Sequence, residues 1–118
     1  MIRVVGPDVS IAEVVRAAQR LGADVSVVPA GGTRAESIDL FAEALSFPDW
    51  FGRNLDALAD CLHDFAEGRG RGGAPRHLVW DGVARLRLEH PESYHDITSV
   101  LAEVSADHDR FVVTVLDR

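Results

Sequence analysis

The chain has 118 residues, of which 47% are hydrophobic and 26% are charged, and its formal net charge is -7. This length predicts one domain spanning residues 1–118, and this composition excludes a chain without a packed core. The excess of negative charge argues against direct binding to nucleic acid and indicates a basic partner.

The only cysteine is Cys61, which excludes an intrachain disulfide and is typical of a cytoplasmic protein. The apolar stretch at the start of the chain is too short for a secretion signal, and no stretch is long enough to span a membrane. We therefore expect a cytoplasmic protein that does not associate with membranes.

The first third of the sequence predicts a strand, a helix and a second strand. Residues 2–5 are a β-branched run, and the spacing of Ser10 and Glu13 is that of a capping box. The predicted helix runs from about residue 11 to 21, and the next strand covers residues 25–28. A strand-helix-strand unit favours parallel pairing.

Two more amphipathic helices follow. Thr33 and Glu36 repeat the capping-box spacing before a helix that ends ahead of Pro48. The third helix is predicted from Asn54 to about residue 67, and it leads into the glycine-rich segment 68–73, whose composition predicts a flexible surface loop.

The last part of the chain predicts a short strand at residues 77–80, a fourth helix from Pro91 to about residue 106, and a closing strand at residues 111–116. Because the closing strand is almost entirely apolar, it should lie in the centre of a sheet. The predicted fold class is α/β, with a small, mainly parallel sheet of three to four strands and helices packed on it.

The third helix has two unlike sides. At about 100° per residue, its leucines and Phe65 gather on one side, while Asp56, Asp60 and Asp64 gather on the other. The simplest interpretation is an ordinary solvated face. However, the aspartates follow one another about 6 Å apart along the axis, and each neighbouring pair repels by about 0.7 kcal/mol even in water.

This repulsion is compensated unequally along the helix. Asp56 should be stabilised by the positive helix N-terminus and by Arg53, whereas Asp60 has an aspartate on each side and only His63 nearby. An acidic face that costs stability is more plausibly a binding surface.

The aromatic pair Trp50-Phe51 precedes Gly52 and the predicted helix cap Asn54. We expect Phe51 to pack the loop onto the core. Trp50 is the better candidate for a partner contact, because a rigid aromatic beside charged groups makes a good anchor.

Residues 47–62 read FPDWFGRNLDALADCL, and this segment resembles the signature of the barstar family, two aromatics followed by GxNLDALxDxL. Looser similarity extends from about residue 25 to 116. The resemblance implies a compact fold of parallel strands and helices, to which residues 1–24 add an N-terminal strand-helix extension.

The resemblance also implies a function. Members of this family are cytoplasmic inhibitors that protect a cell from its own secreted ribonuclease. We therefore expect a protein without catalytic activity or cofactor, monomeric when free, that forms a one-to-one complex with a basic ribonuclease. The predicted partner-binding residues are Trp50, Phe51, Gly52, Asn54, Asp56, Ala59, Asp60, His63 and Asp64.

Their roles follow from the matching motif positions. The resemblance implies that Asp60 enters the phosphate-binding site of the ribonuclease, with Asp56 in support. It also implies that Trp50 lies against the catalytic histidine of that enzyme and that Asn54 and Gly52 shape the loop that presents Trp50.

The sequence departs from the family pattern at several positions. Ala59 stands where the family often has a large aromatic residue, and protonation of His63 would make binding sensitive to pH. The second acidic site of the family falls near Ala106, where Asp107 is the nearest carboxylate.

Two other functions remain open. The departure at Ala59 and the N-terminal extension also fit an immunity protein of the same fold against a different toxin. Alternatively, Asp56 and Asp60 would be the carboxylates of a small hydrolase. We predict no metal site, because Cys61 and His63 lack further ligands at the usual spacing.

Overall fold

A computed structural model describes residues 1–68 and 70–118. The described residues form four strands and five α-helices. In chain order they are β1 (Ile2–Val5), α1 (Ile11–Arg20), β2 (Asp24–Pro29), α2 (Arg34–Leu45), α3 (Leu55–Glu67), β3 (Arg76–Asp81), α4 (Ala84–Glu89), α5 (Pro91–Asp107) and β4 (Phe111–Leu116).

The four strands form one parallel sheet in the order β1-β4-β3-β2. The predicted α/β class is therefore confirmed, and so is the central position of the apolar closing strand. β1 pairs with β4 from Ile2 opposite Val113 to Val5 opposite Leu116. The N-terminal strand thus belongs to the same sheet as the rest of the chain.

Helices cover both faces of the sheet. Leu78 and Trp80 of β3 lie in the main core with apolar side chains of α2, α3 and α5. Val79, between them, packs with Val14 of α1 in a second cluster, which places α1 on the opposite face because neighbouring strand residues point to opposite sides. None of the helices in the described residues combines the length and the apolar character needed to cross a membrane.

Ser10 and Thr33, which the capping-box spacing predicted as N-caps, begin α1 and α2. The amide of Glu13 donates to Ser10 Oγ at 3.2 Å, and the amide of Glu36 donates to Thr33 Oγ1 at 3.2 Å. These bonds satisfy amides that the first helical turn leaves without partners.

The sequence did not predict α4. This helix is only six residues long, and no side-chain hydrogen bond caps it. One of its leucines, Leu86, is buried, and the other, Leu88, is 71% exposed, so no amphipathic period develops. In the glycine-rich segment, Arg71–Gly73 forms a short 3-10 turn, and residue 69 lies outside the described residues.

Candidate partner-binding surface

Asn54 fixes the start of α3. Its Oδ1 accepts the amide hydrogen of Ala57 at 2.8 Å, and its Nδ2 donates to the carbonyl of Gly52 at 3.3 Å. One side chain therefore caps the helix and ties the preceding loop to it. Asn54 itself is exposed, so the same residue is also open to a partner.

Arg53 takes a different role from the predicted one. Its φ is 53°, in the left-handed region, so it stands outside the helical repeat that would place it beside Asp56. Its guanidinium instead pairs with Asp39 of α2 at 3.0 Å. This exposed ion pair connects the loop to α2, and Asp56 lacks the predicted support from Arg53.

The two neighbouring aromatic residues differ sharply in exposure. Trp50 is 77% exposed, whereas Phe51 is 8% exposed and contacts Phe47 edge-to-face at 5.1 Å between ring centroids. This burial agrees with the expectation that Phe51 packs the loop onto the core. Phe51 therefore holds the loop on the core and offers little surface of its own, and Trp50 presents an uncovered aromatic ring.

The opposite sides of α3 are as predicted. Leu58 and Leu62 are fully buried in the main core. Asp56, Asp60 and Asp64 are all exposed, and together they form what we call the acidic ridge. A rigid, core-anchored helix therefore presents three carboxylates to solvent.

The ridge acts on a neighbouring buried group. Burial raises the pKa of the Cys61 thiol, and the charges of Asp64 and Asp60 raise it further. Both effects disfavour the thiolate, so Cys61 is a poor nucleophile and a poor metal ligand. Its side chain is part of the core.

Ala59 and His63 are half-buried beside the ridge. The sequence placed His63 next to Asp60, but its hydrogen bond runs to the end of α5. His63 Nδ1 lies 3.0 Å from His108 Nε2, and its Nε2 lies 4.0 Å from a carboxylate oxygen of Asp107. His63 therefore links the ridge to α5.

The family resemblance pointed to Asp107 near the end of α5, but the sequence did not predict that α5 places Glu103 and Asp107 beside His63. Glu103 and Asp107 lie one turn apart on α5, and ligand atoms of both lie near the His63 ring. The i, i+4 spacing of these two acidic residues was the available signal. It was uninformative without the knowledge that α5 packs beside α3.

The exposure of Asp56 and Asp60 bears on the hydrolase alternative. Acid-base catalysis at neutral pH generally uses a desolvated carboxyl group in a concave pocket. Both residues are exposed on one side of α3, and the cavity that Asp56 lines, between α2 and the start of α3, is open to solvent. This arrangement favours recognition of a basic surface over catalysis.

Comparison with known proteins gives one family. The family model described as Barstar (barnase inhibitor) matches residues 30–117. The match covers α2, the aromatic loop, the acidic ridge and everything up to β4, and it begins after β2. None of the curated proteins compared with the chain shows significant sequence similarity to it.

Proposed function

Because the chain belongs to the barstar family, whose members inhibit ribonucleases, we propose that it blocks the active site of a secreted microbial ribonuclease of the guanyl-specific type. The observation that carries this proposal is the exposed acidic ridge of α3 beside the exposed ring of Trp50. The protein acts by binding alone, in a one-to-one complex, and has no catalytic activity of its own.

The chemistry of the target explains the choice of residues. A ribonuclease gathers cationic donors around a phosphate of its substrate. Carboxylates satisfy the same donors with charge-assisted hydrogen bonds and offer no bond to cleave. In this proposal Asp60, at the middle of the ridge, occupies the phosphate site, and Asp56 supports it from one turn away.

Trp50 supplies the apolar part of the contact. An exposed, rigid aromatic ring loses little conformational entropy on binding and fills a pocket well. Phe51 and Asn54 hold the loop that carries it, so the backbone at Trp50 is positioned before the partner arrives. Such preorganisation lowers the cost of association.

The net charge of -7 adds long-range attraction to a basic enzyme and disfavours binding to nucleic acid. We further propose that the free protein is monomeric and works in the cytoplasm, where a ribonuclease that has not been exported would be harmful. The single buried thiol is compatible with that compartment.

A second candidate is an immunity protein against a different toxin. Two observations favour it. Ala59 leaves the ridge without the large aromatic side chain common in the family, and residues 1–29, which include β1 and α1, lie outside the family match. Such a target would still need a basic site complementary to the ridge.

An inhibition assay tests the proposal. A guanyl-specific ribonuclease from the same source is assayed on a fluorogenic RNA with increasing amounts of the protein, and we expect inhibition to be complete at one equivalent. Asp8→Ala is the matched control, because Asp8 is also an exposed aspartate but lies in the loop before α1. It should inhibit as the wild type does, whereas Asp60→Ala should require far more protein. An uninhibited enzyme would refute the ribonuclease proposal.

A further inference from the structure

Three side chains of the types that bind metal ions meet where α3 packs against α5. They are His63 of α3 and Glu103 and Asp107 of α5, and one ligand atom from each lies within 4.8 Å of the other two. His63 Nε2 and Asp107 Oδ2 are 4.0 Å apart, which is long for a direct hydrogen bond. The three groups thus surround a common point without being closely bonded to each other.

A fourth residue orients the imidazole. His63 Nδ1 is hydrogen-bonded to His108 Nε2 at 3.0 Å. When His63 donates this bond, its proton sits on Nδ1, and Nε2, which lies 4.0 Å from Asp107 Oδ2, carries a lone pair. Metal-binding histidines are commonly oriented in this way, by a hydrogen bond from the nitrogen that does not bind the metal.

The last turn of α5 itself supplies no positive charge to the two carboxylates. Asp107 is the last residue of α5, Glu103 lies one turn before it, and the last turn contains no basic residue. Negative charge is unfavourable at a helix C-terminus, and like charges at i, i+4 repel. A bound cation would relieve both effects.

We propose that His63, Glu103 and Asp107 form a site for a divalent cation of the zinc class, with His108 as a positioning residue. One imidazole and two carboxylates suit Zn²⁺, Co²⁺ or Ni²⁺, and three protein ligands leave a position open for water. Zinc bonds of about 2.0–2.2 Å put neighbouring ligand atoms roughly 3.4 Å apart, so the groups must close by about 1 Å. Asp107 is 61% exposed and can make this movement.

Binding here would have two consequences. The cation would join α3 to α5, and it would place positive charge beside the acidic ridge. His63 is also one of the predicted partner-binding residues, but zinc binding and ribonuclease inhibition are measured separately, and each can fail without the other.

The test is calorimetric titration of the untagged full chain with ZnCl₂, together with its melting temperature with and without the ion. We expect one Zn²⁺ per chain and a higher melting temperature. Asp107→Asn and Glu103→Gln should each weaken binding at least about tenfold, and His108→Gln should weaken it about 10–100-fold, as is usual for a residue that orients a ligand. Both carboxylates are exposed, so these variants should fold.

Asp64→Asn is the control for general attraction to negative charge. Asp64 is an exposed carboxylate on α3 but is not one of the three ligands, so its amide variant should bind Zn²⁺ within about threefold of the wild type. Absence of binding at millimolar Zn²⁺ would overturn the proposal. So would equal weakening by Asp64→Asn and Asp107→Asn, which would indicate diffuse electrostatic attraction.

Discussion

The acidic ridge should cost the protein stability, and Asp60→Asn measures that cost. Asp60 has Asp56 one turn before it and Asp64 one turn after it on the exposed side of α3. The Coulomb energy of about 0.7 kcal/mol per pair is an upper limit, because like charges at i, i+4 destabilise helices by a net of about 0.2–0.5 kcal/mol per pair. Asparagine removes both repulsions, keeps the shape of the side chain and has a similar helix propensity. We therefore expect the free energy of unfolding to rise by about 0.4–1 kcal/mol at low salt.

Urea denaturation followed by circular dichroism is a suitable assay. For an m-value of about 1.5 kcal/mol/M, the expected gain moves the midpoint by about 0.3–0.7 M. The Debye length falls from about 30 Å in 0.01 M salt to about 3 Å in 1 M salt, so the gain should nearly vanish in 1 M NaCl.

Asp56→Asn makes the same chemical change at a position where the negative charge gains at least about as much from the helix N-terminus as it loses by repulsion. Asp56 lies in the first turn of α3. Its charge repels one aspartate but gains about 0.3–1 kcal/mol from the helix N-terminus. This variant should be no more than about 0.2 kcal/mol more stable than the wild type. If Asp60→Asn is not more stable than the wild type at low salt, or if its gain persists in 1 M salt, repulsion along the ridge does not destabilise the protein.

Further predictions concern the aromatic pair, the helix cap and a buried histidine. In urea melts, Phe51→Ala should lower the free energy of unfolding by about 3–5 kcal/mol, because Phe51 is buried. Trp50→Ala should change it by less than about 0.5 kcal/mol, because Trp50 is exposed, but it should weaken ribonuclease binding in inhibition assays. Asn54→Ala should cost about 1 kcal/mol through loss of the α3 cap, and an unchanged urea midpoint would contradict that role. The pKa of His77 is lowered mainly by burial and further by the positive charge of Arg3. As the pH falls, His77 is therefore protonated more readily in the unfolded chain than in the folded chain. The contribution of His77 to the free energy of unfolding should therefore be fully present above a pH of about 6.5 and should be lost as the pH falls below that value. His77→Gln should make that loss shallower in urea melts between pH 7.5 and 5, and an identical slope would exclude His77 as its cause.

Much of the fold could be predicted because local sequence and tertiary packing agree. Ser10 and Thr33 cap the helices that their spacing predicts, and the apolar run of β4 lies in the centre of the sheet. The short helix α4 could not be predicted, since Leu88 is exposed and no periodic pattern marks the helix.

The candidate surface was likewise predictable only in part. The two sides of α3 follow from helical periodicity, and so the ridge was predictable. The partners of Arg53 and His63 were not, because Asp39 and His108 are distant in sequence and are brought near by the packing of α2 and α5. Contacts between elements depend on the tertiary arrangement, which periodicity does not encode.

We propose that Asp60 inhibits a ribonuclease by occupying its basic phosphate site. The most direct test is calorimetric titration of a secreted guanyl-specific ribonuclease from the same source with the wild type and with Asp60→Ala. Truncating one partner of a buried charge pair costs about 2–5 kcal/mol, a range to which the prototype complex of this family itself contributes. We expect tight one-to-one binding that Asp60→Ala weakens by at least about 30-fold. No binding by the wild type would contradict the proposed target, and equal binding by the two proteins would contradict the site.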